Sequence, residues 1–225
     1  MKIAAFLTSS SHHGNTATAV QTLLEGAKSA GAEVEIFYLN DYYIKPCIGC
    51  RVCEKTDKCI YGDTDDVHLF HDAIRTADAF VLGTQTFYGD IAGQFKMFVD
   101  RVYPFMCCTG KDPVTQQMTF GSILPDRKPG VMIAISGSHG VGVLESHVKV
   151  GYHCLNDINS YLWREVLIPY TTWTAVKDMT EKKEELFRTG VELVQHVKDG
   201  CHEDKAKTAA LCEKFKYKDV KKIEY

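Results

Sequence analysis

Cys47, Cys50, Cys53 and Cys59 fall within thirteen residues of the stretch KPCIGCRVCEKTDKCIYGD, residues 45–63. Thiols that close together can ligate an inorganic cluster, hold a zinc ion, form a redox disulfide, or simply shape a loop. Zinc sites of four thiolates are usually two separated C-x2-C knuckles, so the spacing C-x2-C-x2-C-x5-C ranks zinc below a cluster. A Cys47–Cys50 disulfide would lack the thioredoxin setting that makes C-x-x-C reactive. The purely structural loop stays open beside the cluster.

Three other stretches could do chemistry. TSSSHHGNT, Thr8–Thr16, is rich in hydroxyls. Ser9, Ser11, Asn15 and Thr16 can donate hydrogen bonds, and Gly14 lets backbone approach a ligand. Such a turn at a helix start suits a phosphate monoester, with His12 and His13 near enough to touch it. It is neither G-x-G-x-x-G nor G-x-x-x-x-G-K-[ST], which disfavours a pyrophosphate or a nucleoside triphosphate. The bland alternative is a capped helix start. GTQTFYGD, Gly83–Asp90, carries Thr84, Gln85, Thr86, Phe87, Tyr88 and Gly89. Aromatic faces and backbone amides there could form a ledge for a flat heteroaromatic ring; an inward-packed turn is the alternative. SGSHGVG holds Ser136, Gly137, His139 and Gly140, whose glycines allow backbone to lie along a ligand edge.

Stepping outward, these stretches must be positioned by regular elements. Continuous apolar runs at 2–8, 33–39, 79–85, 130–136 and 165–170 read as buried strands. Between them lie helical stripes: Ala17, Val20, Leu23, Leu24 and Ala27; then Val67, Phe70, Ile74 and Ala77, with Thr64 as cap; then Ile91, Phe95, Phe98, Val99 and Val102. Further helices are predicted over 143–163 and from Thr180 onward. Buried strands alternating with helices predict a parallel sheet covered on both faces, a doubly wound three-layer α/β/α sandwich. In such a sheet ligands bind beyond the carboxyl ends of the strands, where the three loops fall. Residues 104–129 form a long connection containing Cys107 and Cys108, and the segment from 199 onward is Lys-rich, read as a solvated helix and extension. Cys107, Cys108, Cys154, Cys201 and Cys212 are expected as buried small hydrophobes. Asp65 and Asp66 read as a helix start, and Tyr42 and Tyr43 as packing under the cysteine loop or covering a ring from a neighbouring subunit.

At this point the sequence resembles the flavodoxin-like, NAD(P)H-dependent FMN reductase superfamily. SSSHHGNT matches its phosphate turn, TQTFYGDIAGQFKMFVDR its ring loop and following helix, and ISGSHG its third loop. The resemblance implies five parallel strands in the order 2-1-3-4-5 and FMN held non-covalently by Ser9, Ser11, His13, Gly14, Asn15, Thr16, Thr84–Gly89, Ser136, Gly137, His139 and Gly140. It further implies NAD(P)H or a protein as donor, a homodimer or homotetramer, and no catalytic side chain. Gln85 stands where relatives usually carry proline, and the phosphate turn lacks their basic residue. The cysteine motif after the second strand resembles that of the iron–sulfur flavoproteins, which implies a four-iron four-sulfur cluster on Cys47, Cys50, Cys53 and Cys59 beside the flavin. Flavin handles electron pairs and a cluster single electrons, so the two together bridge both kinds of chemistry. Acceptors would be a small molecule such as a quinone or a ferredoxin-like protein. A non-enzymatic flavodoxin-type carrier and a clusterless quinone or FMN reductase are the alternatives. The FMN-binding unit is placed at 1–200 and a charged extension at 201–225.

The remaining expectations come from composition. A hydrophobic content of 45% supplies a core, and a net charge of −3 gives no reason to expect nucleic acid. No apolar run approaches a membrane span. The apolar part of MKIAAFLTSSSHHGNT is short and enters a Gly-Asn-Thr turn, unlike a signal peptide. With nine cysteines, this reads as a chain of the reducing cytoplasm.

Overall fold

Five strands pair in parallel in the order β2-β1-β3-β7-β8, which is 2-1-3-4-5 among the parallel strands, as expected of a flavodoxin-like fold. The computed structural model describes residues 1–111 and 118–215. The strands are β1 (Lys2–Leu7), β2 (Glu33–Tyr38), β3 (Ala79–Phe87), a short β4 (Asp90–Ile91), β5 (Met106–Lys111), β6 (Met118–Ser122), β7 (Lys128–Ile135) and β8 (Ser160–Ile168). The helices are α1 (Asn15–Ser29), α2 (Cys53–Thr56), α3 (Val67–Thr76), α4 (Gly93–Asp100), α5 (Glu145–Asp157), α6 (Thr180–Lys198) and α7 (Lys205–Phe215).

Side chains alternate across the sheet and build one core on each face. Ile3, Ala5 and Leu7 of β1 join Val20, Leu23 and Leu24 of α1 and Leu186 and Leu193 of α6. Ala4 and Phe6 point the other way, toward α3, α4 and α5. There Phe6 stacks on Phe37 and Phe98 at centroid distances of 5.1 and 4.7 Å, with Phe70 edge-on. On the first face α1 and α6 cross backbone to backbone. A Cβ at Gly190 would lie 1.9 Å from the Leu23 carbonyl oxygen, and one at Gly26 1.9 Å from that of Phe187.

Several elements differ from the expectation. The helix predicted over 143–163 is α5, which ends at Asp157; Asn159 at φ 50 turns the chain and β8 begins at Ser160. The expected fifth strand at 165–170 is β8, which begins five residues earlier and runs SYLWREVLI to Ile168, taking over the end of the predicted helix. Thr64 lies in a 3-10 turn, and Asp66 stands at the N-terminus of α3. The 104–129 connection contains the antiparallel β5–β6 hairpin; its residues 112–117 lie outside the described residues. Of the five cysteines expected to be buried, only Cys154 is; Cys108 and Cys212 are exposed, and Cys107 and Cys201 partly so. The expected C-terminal helix is α7, but it is docked at its end, where the ring of buried Phe215 lies 5.7 Å from that of Tyr152. The rest of the extension, 216–225, lies outside the described residues. Among the described residues no helix is long and apolar enough to cross a membrane.

Candidate functional site

The loop after β1 leads into α1 through Gly14, which makes no side-chain cap, and no acid stands in the first helical turn. The amides of Asn15, Thr16 and Ala17 therefore have no partner inside the helix. They leave a partial positive charge that an anion can satisfy. The capped-start alternative does not describe this helix. The loop is held tightly: Ser9 Oγ donates to the Ser11 carbonyl at 2.7 Å, and the Gly14 amide donates to the same oxygen at 3.0 Å. A Cβ at Gly14 would lie 2.6 Å from Ser9 Oγ. Ser11 is exposed, its Oγ accepting from the His13 amide, while Thr16 is buried. The Asn15 side chain is committed elsewhere: its Oδ1 accepts from the Val176 amide at 2.9 Å, tying α1 to the segment after β8. His13 is exposed. His12 turns away to stack on Tyr38 and to meet Asp41 at 2.6 Å.

The ring loop is a strand end and a tight hairpin. β3 runs to Phe87 and pairs with β4 through Thr86↔Ile91 and Phe87↔Asp90. Tyr88 and Gly89 at the turn have φ of 50 and 77. Positive φ at both central residues is the type I′ geometry of two-residue hairpins. It suits Gly89 and costs about 1–3 kcal/mol at a tyrosine, yet holds the Tyr88 ring fully exposed. Phe87 is half exposed. Thr84 is buried, its hydroxyl 3.0 Å from that of Thr8. Gln85 lies on the same face as Gly83, toward α1, and its buried Oε1 has no hydrogen-bond partner among the described residues.

After β7, Ser136 Oγ accepts the His139 amide at 3.1 Å and donates to its carbonyl at 2.5 Å, which closes the turn. The next loop, after β8, is stitched to it: the Thr171 and Thr172 amides donate to the carbonyls of Ser136 and Gly137. A Cβ at Gly137 or Gly140 would stand 2.8 Å from Thr172 Oγ1 or the Tyr170 hydroxyl, so either would have to push that side chain aside. An open cleft of about 470 Å³ results, lined by Thr86, Tyr88, Gly89, Gly137, Ser138, His139 and Thr172. The glycine-lined cleft and the uncapped helix start together fit a phosphate-bearing planar ligand. Thr84 and Ser136 support these loops from below. His147 is buried beneath the hairpin with Nε2 3.0 Å from Thr86 Oγ1, and burial holds its ring below the ordinary histidine range.

All four cysteines of the 45–63 segment line one cavity of about 320 Å³, together with Tyr61, Arg101, Tyr103 and Pro104. Burial pushes the Cys53 thiol up, and the nearby Cys59, Cys50 and Cys47 add to that. No group of three or more His, Cys, Asp or Glu among the described residues is arranged to hold a metal ion. Underneath lies a buried ion pair. Arg101 Nη1 meets Asp65 Oδ2 at 2.6 Å, with both side chains almost wholly buried. Burial alone would raise the Asp65 carboxyl, but Arg101 together with the Lys45 and Val67 amides holds it below the usual range. Asp65 stands at the helix start as expected, its Oδ1 accepting the Val67 amide that opens α3 at 3.3 Å, and it is also the partner of a buried arginine. Tyr42 packs against Phe37 and Phe70, whereas Tyr43 is exposed.

His71 belongs to the same support. Its Nε2 donates to the Arg101 carbonyl at 2.7 Å, and burial lowers its pKa to about 4. The unfolded chain takes up this proton below about 6.5 while the folded chain refuses it until about 4. Stability from this ring is therefore lost as pH falls through that window, by roughly 3 kcal/mol in all. Asp157, raised to about 7 by burial, acts in the opposite sense as pH falls. The comparison must therefore be made against a variant. Melting temperatures between pH 7 and 4 are expected to fall more for the wild type than for His71→Gln; parallel curves would contradict this.

Sequence comparison now bears on the site. A family profile described as NADPH-dependent FMN reductase matches residues 1–156. The chain belongs to this family. An iron-sulfur flavoprotein of Archaeoglobus fulgidus is 38% identical over 101 residues, 45% of this chain and 48% of that protein. One of Methanocaldococcus jannaschii is 34% identical over 105 residues, 46% of this chain and 53% of that protein. The chain thus spans about half the length of these curated relatives. Among solved structures, a flavone reductase superposes with a TM-score of 0.65 at 20% identity, covering 88% of this chain and 64% of that one. An NAD(P)H:quinone oxidoreductase from Methanothermobacter marburgensis gives 0.59 at 16%, covering 86% and 96%. At such identities these structures speak for the fold alone. The loop after β8, with Tyr170, Thr171 and Thr172, joins the site without having been expected from the sequence. The signal was present, since PYTTW follows a buried strand end as the other site loops do.

Proposed function

We propose that the chain is an FMN-dependent oxidoreductase whose cysteine pocket holds a four-iron four-sulfur cluster. The observation that carries this is the gathering of Cys47, Cys50, Cys53 and Cys59 around one cavity. That cavity is joined to the ring hairpin by α4. Gly89 and Asp90 stand just before this helix and Arg101 just after it. Its eight residues span about 12 Å. Bound FMN would supply two-electron chemistry from NAD(P)H, and the thiol-held group one-electron transfer. The phosphate would rest on the start of α1. The backbone of the ring hairpin and of the Ser136–Gly140 turn would face the ring and favour negative charge developing on it. Electrons would leave toward a small acceptor such as a quinone or toward a ferredoxin-like protein, in a cytoplasmic homodimer or homotetramer. That the archaeal relatives are iron-sulfur flavoproteins supports the cluster.

An anaerobic visible spectrum with iron and sulfide assays tests the cluster. Flavin bands with broad cluster absorption, iron and sulfide are expected; flavin bands alone would leave a clusterless FMN reductase. Stopped-flow mixing with NADPH and with NADH tests the enzyme. Rapid bleaching of the flavin by at least one is expected, whereas a carrier would be reduced rapidly by neither.

A further inference from the structure

The ion pair beneath the thiol pocket is unusual in what it touches. Besides Asp65, Arg101 Nη1 donates to the Lys45 carbonyl at 2.6 Å, Nη2 donates to Cys59 Sγ at 3.3 Å, and the guanidinium lies 4.7 Å from the centre of the Tyr61 ring. Lys45, Cys59, Tyr61 and Asp65 all belong to the cysteine segment and its continuation, while Arg101 comes from the far end of α4. The Nε of Arg101 is buried and has no hydrogen-bond partner among the described residues. Arg101 is thus a buried cation that lines the thiol cavity and already donates to one of its thiols, where it favours negative charge on what the thiols hold. Stability does not explain it, because a buried ion pair is often no better than apolar residues of the same volume.

We propose that Arg101 is the residue that positions the thiol pocket and sets the reduction potential of what the thiols hold, with Asp65 as its counterweight. This rests on the cluster reading above. Reduction adds negative charge to a thiolate-bound cluster. A fixed cation beside it favours the reduced state, and an N–H···S bond withdraws charge from sulfur in the same sense. Asp65 opposes both effects. The two side chains therefore act on the potential with opposite signs.

The test is an EPR-monitored redox titration of the full chain, reconstituted anaerobically with iron and sulfide, with iron counted per chain. Arg101→Gln is expected to shift the midpoint to more negative potential and Asp65→Asn to more positive potential. Arg101→Lys, which keeps the charge but not the fork, should fall between wild type and Arg101→Gln. Should Arg101→Gln fail to retain FMN, Asp65→Asn is compared with the Asp65→Asn, Arg101→Gln double variant, in which both sites are neutral; the double variant should lie on the negative side. Unchanged midpoints, or shifts of the same sign in both single variants as from general loosening, overturn the inference while the cluster stands. Wild type that takes up no iron yet keeps its flavin bands overturns the cluster reading and this inference with it.

Discussion

Gly190→Ala is expected to destabilise the chain by about 3 kcal/mol or more, because a methyl group has nowhere to go. Its position is 1.9 Å from the Leu23 carbonyl oxygen and 2.8 Å from the Ala27 amide nitrogen, both backbone atoms of α1. A side chain could rotate away; a helix backbone has to translate. For a chain of this length that loss corresponds to a melting temperature lower by roughly 6–12 °C. The effect should not stop at stability. Moving α1 moves its amino end, where the uncapped amides lie, so FMN affinity should fall as well. Gly93→Ala is the control: a Cβ there meets nothing within 4 Å, it sits inside α4, and its φ is not positive. Its stability should match the wild type within about 0.5 kcal/mol. A Gly190→Ala chain that melts with the control would show that the helices can part at no cost.

The same crossing shows which parts of the molecule were legible in the sequence. Leu23, Leu24 and Leu186 announce the apolar faces of α1 and α6 by their spacing, but nothing in a spacing says that Gly26 meets the backbone of Phe187 and Gly190 that of Leu23. That is a long-range fact about two surfaces. The strands β1, β3 and β7 were legible because burial on both faces demands continuous apolar runs. The end of α5 was not, because Tyr161, Leu162 and Trp163 extend its apolar pattern, and only the left-handed Asn159 reveals the break. The loops at the strand ends could be found because topology fixes where ligands sit in such a sheet. What could not be found was support from outside each motif. Asp65 showed its place at the start of α3 but not its ion pair, because that partner lies 36 residues away. His147 carries no motif at all and reaches Thr86 only because α5 packs over the hairpin. Cysteine spacing suggested a common pocket, and the structure brings the four residues around one cavity with a buried cation that no local pattern predicts.

Ser11→Glu is expected to weaken FMN binding at least tenfold, about 1.4 kcal/mol, without loss of stability. Ser11 is exposed in the loop that leads into α1, and Gly14 leaves that helix without a side-chain cap. A carboxylate placed there meets the partial positive charge of the helix start, which is worth about 0.3–1 kcal/mol to the folded chain. The melting temperature should therefore hold or rise slightly. The same carboxylate competes with, and repels, the phosphate that the start of α1 is proposed to hold. Riboflavin separates this from damage to the ring site, because it has the ring but no phosphate. Titration by flavin fluorescence should show FMN affinity reduced and riboflavin affinity unchanged. Equal losses for both ligands would mean that the loop shapes the ring cleft, and no loss for either would place the phosphate away from α1. The opposite movement of stability and FMN affinity is the signature of an anion site, since a loop that only caps its helix would gain on both counts.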